Sequence, residues 1–70
     1  MYKEVFKSRI VEARKECKLS QREAAAKLKI SKSTIASYET GRTEPDLETL
    51  GKLARLYCHS IDYLLGLADD

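Results

Sequence analysis

A chain of 70 residues makes one small domain, whose single core buries about 60% of the surface exposed by the unfolded chain and leaves no place for a second domain or a buried reaction chamber. At 43% hydrophobic and 34% charged residues, with no apolar run longer than three, it reads as a soluble folded domain without a membrane span or secretory signal. The net charge of +2 is uneven: residues 1–43 carry eleven Lys and Arg against five Asp and Glu, a balance of +6, and the remainder carry two against six, a balance of −4. The basic half is expected to face an anionic partner, with nucleic acid first among the candidates; the alternative is a lysine-rich surface that meets only water.

Helical spacing runs from end to end, and no segment alternates apolar and polar residues long enough for a strand. Phe6, Ile10, Ala13 and Cys17 recur at intervals of four, three and four, predicting a helix over about residues 3–17 with one apolar stripe. Ser20-Gln21-Arg22-Glu23 is a capping box, so a second helix starts at Gln21 and ends near Lys29; its alanines let a neighbour approach closely. Ser31 caps a short third helix, Lys32 to Glu39, which Gly41 stops. Residues 40–45 form a loop. Asp46 then caps a fourth helix whose Leu47, Leu50, Leu53, Ala54 and Tyr57 make a core-facing stripe. Ser60 opens a short fifth helix that halts at Gly66.

Cys17 and Cys58 stand forty-one residues apart, with no CxxC pair and a single histidine, so neither a disulfide framework nor a zinc site is expected. That pattern suits a reducing, cytoplasmic setting. The histidine, His59, is expected to pack or be partly exposed rather than to bind metal or catalyse.

Only Lys29, Ile30 and Ser31 separate the second helix from the third, which is the spacing of a helix-turn-helix over about residues 21–39. Setting Ile35 and Tyr38 inward turns Ser33, Ala36 and Ser37 outward, flanked by Lys32 and Thr34. This face is small, polar and free of carboxylates. It can sink into a DNA major groove and bring hydroxyls and an ammonium to base edges. The bland alternative is a helix surface that is merely solvated.

At these positions the chain resembles the phage-repressor type of helix-turn-helix domain, also called the xenobiotic-response-element family. The resemblance covers about residues 6–66. It rests on Arg9-Ile10, Arg14, Leu19-Ser20-Gln21, Ala25, Leu28, Ser31, Thr34-Ile35, Tyr38-Glu39, Gly41, Pro45, Leu50, Leu53-Ala54 and the run Ser60 to Leu65. It implies an all-α, lambda-repressor-like fold of five helices, and with a chain this short residues 1–70 are expected to form a single domain. It also implies a homodimer on a two-half-site operator and action as a transcriptional regulator. Carried over residue by residue, it places Lys32, Ser33 and Ser37 at base edges, with Thr34 beside them at bases or phosphate. It places Gln21 at a phosphate near the start of the second helix, and Arg42 and Thr43 on the DNA backbone. It pairs Arg14 with Glu39 in a partly buried salt bridge. Where the family commonly has glycine this chain has Lys18 and Lys29, each costing about 1 kcal/mol if the backbone stays left-handed. Ala13 and Ala24 stand where leucine is usual.

The function expected from these residues is sequence-specific DNA binding by a transcriptional regulator, a repressor, whose helix 32–39 enters the major groove. The alternative is a protein-interaction module on the same fold, such as an antitoxin or a transcription-factor partner. No pairing of nucleophile with base, of two carboxylates, or of metal ligands can be assembled at helical spacing, so no enzyme, cofactor or small-molecule ligand is expected. With Ile61, Leu64 and Leu65 facing the core, Tyr63 and Leu67 are left uncovered on another side, and they are the expected homodimer seam.

Overall fold

Short polar side chains set where every helix after the first begins, because the first backbone N–H groups of a helix have no acceptor within it. In the computed structural model, which describes residues 2–69, the elements are α1 (Tyr2–Glu16), α2 (Gln21–Leu28), α3 (Lys32–Thr40), α4 (Leu47–Tyr57) and α5 (Ile61–Leu64). There is no strand among the described residues. At the start of α2 the Glu23 N–H donates to Ser20 Oγ at 3.0 Å, and the Ser20 N–H donates to Glu23 Oε1 at 2.8 Å. Ser31, Asp46 and Ser60 cap α3, α4 and α5 in the same way, each accepting an N–H three residues on. The capping hydrogen bonds from Ser20 and Thr49 hold the Glu23 and Asp46 carboxyls below the ordinary carboxylate range.

Among the described residues, three that are not glycine turn the chain in the left-handed region: Lys18 at φ 58°, Lys29 at φ 60° and Cys58 at φ 60°. The two lysines thus keep the conformation a glycine would hold, and Cys58 adds a third such turn at the end of α4. Gly66 is different. It has a φ of +80°, and a Cβ there would lie 2.8 Å from Val5 Cγ1, so both conformation and packing require glycine.

Phe6, Ile10 and Ala13 of α1 are buried against α3, α4 and α5, while α2 packs on α3 and α4. Ala13 and Ala24 are completely excluded from solvent, so their small side chains draw neighbouring backbones together. Ile35 and Tyr38 turn inward, as their three-residue spacing predicts. Because α3 rests on α1 and α2, its opposite face stays open.

Two expectations are corrected. Leu47 is 86% exposed rather than part of the core stripe, because it is the first residue after the cap and no neighbouring element reaches it; the buried stripe begins at Leu50. In α5, Ile61 is 39% exposed while Tyr63 is half-buried. A helix of four residues can bury only one side chain fully, and that one is Leu64. Tyr63 is covered from within the chain: its ring stacks on His59 at 4.1 Å between centroids, and the Arg9 guanidinium lies 4.3 Å from the ring centre. Arg9 Nη1 also donates to the carbonyls of Tyr63 and Ala68, at 2.6 and 2.7 Å.

Candidate nucleic-acid interface

The open face of α3 begins at its cap. Ser31 Oγ accepts the Thr34 N–H at 3.1 Å and lies 2.8 Å from Thr34 Oγ1 and 3.2 Å from Ser33 Oγ. The Ser33 and Thr34 hydroxyls therefore lean on the cap. Each keeps hydrogen-bonding capacity for an outside group, since a hydroxyl has one donor and two acceptor sites. Lys32 and Ser33 are exposed, and Thr34 and Ser37 are half-buried.

The C-terminal turn of α3 brings a loop to the same side. The Ser37 carbonyl accepts the N–H of Arg42 at 3.0 Å and of Thr43 at 3.4 Å, with Gly41 at φ 81° making the reversal. As a result Ser33, Thr34, Ser37, Arg42 and Thr43 line one shallow cleft together with Tyr38 and Glu44. Lys32 and Gln21 lie outside that lining. Glu44 is a departure from a carboxylate-free reading surface: the helix face itself has none, but the loop delivers one. Burial, with Asp46 nearby, pushes the Tyr38 phenol up and keeps it neutral beneath the cleft.

A charged cluster joins α1 to the end of α3. Arg14 Nε donates to Glu39 Oε2 at 2.7 Å and Arg14 Nη2 to Glu39 Oε1 at 3.2 Å, a two-pronged pair whose side chains are 12% and 6% exposed. The hydrogen bond to Glu39 raises the Arg14 pKa further, so the guanidinium stays charged. Arg14 Nη1 donates to the Leu19 carbonyl at 2.8 Å, and Gln21 Nε2 donates to Glu39 Oε1 at 2.9 Å. Gln21, expected at a phosphate, is thus also tied to the end of α3. No signal in the sequence marks this link, nor the approach of Glu44, because both depend on how helices and loop pack.

Where the end of α1 meets the end of α4, His59 Nε2 lies 3.1 Å from Glu16 Oε1, and Cys17 Sγ lies 3.8 Å from the Tyr57 carbonyl oxygen. Burial pushes the Cys17 thiol up, and both cysteines are free. Among the described residues no group of three or more His, Cys, Asp and Glu could hold a metal ion, and no helix is long and apolar enough to cross a membrane.

The family described as helix-turn-helix matches residues 10–64. The chain is 47% identical over 58 residues to the HTH-type transcriptional regulator ImmR of Bacillus subtilis (strain 168), which covers 83% of this chain and 46% of that protein. It is 42% identical over 66 residues to the uncharacterized HTH-type transcriptional regulator YobD of the same organism, covering 94% of this chain and 59% of that one. To the cryptic phage CTXphi transcriptional repressor RstR of Vibrio cholerae it is 42% identical over 53 residues, covering 76% of this chain and 48% of that protein. The chain spans about half the length of the curated relatives it matches. No solved structure matches it.

Proposed function

The chain belongs to the helix-turn-helix family, and from that premise we propose that it is a sequence-specific DNA-binding regulator of transcription. In this reading it acts as a repressor in the cytoplasm and enters the major groove with α3 as a homodimer on two half-sites. It works by binding rather than by catalysis. The observation that carries the reading is the cleft in which Ser33, Thr34 and Ser37 of α3 meet Arg42 and Thr43 of the following loop. Short hydroxyl side chains at the centre suit base edges, with Lys32 at the entering end of the helix. Arg42, Thr43 and Gln21 at the flanks suit phosphates. The Arg14–Glu39 pair holds α1 to the end of α3 and so keeps the motif's geometry. Exposed Leu67, at 57%, beside the α5 face is the proposed contact between copies, with Tyr63 contributing only the part that His59 and Arg9 leave uncovered.

The test is a titration of double-stranded DNA selected from a random pool, followed over a salt series. Binding should weaken steeply with salt. Arg42→Ala should weaken all duplexes about equally and lower the salt slope by about one unit, whereas Ser33→Ala and Ser37→Ala should weaken the selected sequence and spare the others. Equal losses across sequences for the serine variants would overturn their role in reading bases. Absence of DNA binding would instead favour a module that binds protein through its apolar surface.

A further inference from the structure

Gln21 lies at the first position of α2, where the backbone N–H groups have no helical acceptor and favour an anion. Its amide is half-buried and its Nε2 donates to Glu39 Oε1. A carboxylate only accepts hydrogen bonds, so Glu39 selects the nitrogen end of the amide and takes one of its two hydrogens. The second hydrogen is left for an outside acceptor. Glu39 could not do this alone, since a bare carboxylate beside a phosphate site would repel the phosphate. Arg14 meets that difficulty by clamping the same carboxylate with two nitrogens, at 2.7 and 3.2 Å. The third nitrogen of Arg14 holds the Leu19 carbonyl at 2.8 Å, just ahead of the Ser20 cap, so a single guanidinium orders both the entry to α2 and the carboxylate that holds Gln21.

We propose that Glu39, neutralised by Arg14, is a positioning residue that aims the Gln21 amide at a DNA phosphate. The salt bridge is then part of the binding apparatus as well as a brace between α1 and α3. Preorganisation is the physical gain: an unrestrained glutamine must lose rotamer freedom when it grips a phosphate, whereas one already fixed on Glu39 has lost it on folding. The inference rests on the reading of Gln21 as a phosphate contact, and the experiment separates the two.

Affinity for a mixed-sequence duplex of about 30 base pairs, long enough for two half-sites, is measured by fluorescence anisotropy at low salt, because a phosphate contact acts on any sequence. Gln21→Ala should weaken binding about tenfold to a hundredfold, the size of one hydrogen bond to a charged group. Replacing the ion pair with apolar residues, Arg14→Met with Glu39→Leu, keeps a packed interior without an acceptor for Gln21. This double variant should lose the same factor while retaining parental helicity, and adding Gln21→Ala should cause no further loss. A second variant, Arg14→Met with Glu39→Gln, keeps an acceptor oxygen within reach and should recover most of the affinity; whichever of the two retains parental helicity decides. Losses that multiply when the changes are combined, or no recovery with Glu39→Gln, overturn the positioning role. Full affinity in Gln21→Ala alone overturns the phosphate contact itself.

Discussion

At the cleft, Glu44 is the one carboxylate among the hydroxyls and the guanidinium that line it. A negative charge there opposes DNA at every sequence. Glu44→Gln should therefore tighten binding to any duplex by about twofold to fivefold at low salt, the worth of one like-charge contact in a watery surface, and the gain should shrink as salt is raised. Unchanged affinity at low salt would place Glu44 away from the bound DNA. A second residue speaks to stability. Burial of the Tyr57 ring, with Glu39 close by, pushes its phenol up to about 12 from the ordinary 10.0. Folding then favours the protonated phenol, so the contribution is complete below about pH 10, where folded and unfolded chains both hold the proton. Above that pH the unfolded chain loses its proton first, and stability should fall by about 1 kcal/mol per pH unit until about pH 12. Urea unfolding at several pH values reads this slope, and Tyr57→Phe should flatten it.

Helix ends decide most of this architecture. Four of the five helices start on a serine or aspartate cap that accepts an N–H three residues on, a pattern visible in the sequence as Ser20, Ser31, Asp46 and Ser60. The ends that close α2 and α4 run against residue preference, because Lys29 and Cys58 take left-handed turns there without being glycine. Lys29 is exposed and its side chain makes no hydrogen bond or ion pair among the described residues, so Lys29→Gly should relieve backbone strain with little else changed. An increase in unfolding free energy of about 1 kcal/mol is expected. A decrease would mean that the chain-entropy loss of glycine in the unfolded state outweighs the strain. The turn of the motif thus keeps its shape through packing, with Ile30 lodged against the core beside it.

At the scale of the molecule, the longest dimension of the domain is 27 Å, whereas successive major grooves on one side of DNA recur at about 34 Å. One copy can present its single α3 to only one groove. On the two-half-site operator proposed for this chain, two copies are then required, and a two-fold contact away from α3 would leave α3 of both copies free. Leu67→Asp should lower the fraction of dimer in sedimentation of the free protein, and weaken binding to a duplex with two half-sites far more than to one with a single half-site. Saturation with one copy on the two-half-site duplex, or a dimer indifferent to this change, would remove the proposed contact. Tyr63 is a poorer place to test it, since replacing a ring held between His59 and Arg9 disturbs the fold itself.

Local chemistry in the sequence determined the number of helices, their starts to within a residue or two, and the outward turn of Lys32, Ser33 and Ser37, because caps and helical periodicity act over three or four residues and need no tertiary partner. It also marked Arg14 and Glu39 as a pair, by resemblance. Only the tertiary structure decided how far along each apolar stripe the cover extends. Leu47 and Tyr57 belong to one helical stripe, yet Leu47 lies beyond the reach of any neighbour while Tyr57 is enclosed. Tyr63 is sheltered by Arg9 from fifty-four positions away, and Gln21 is held by Glu39 from eighteen. Such contacts depend on the angles and distances at which whole helices meet, and these follow from the packing of the entire core rather than from any short stretch of chain.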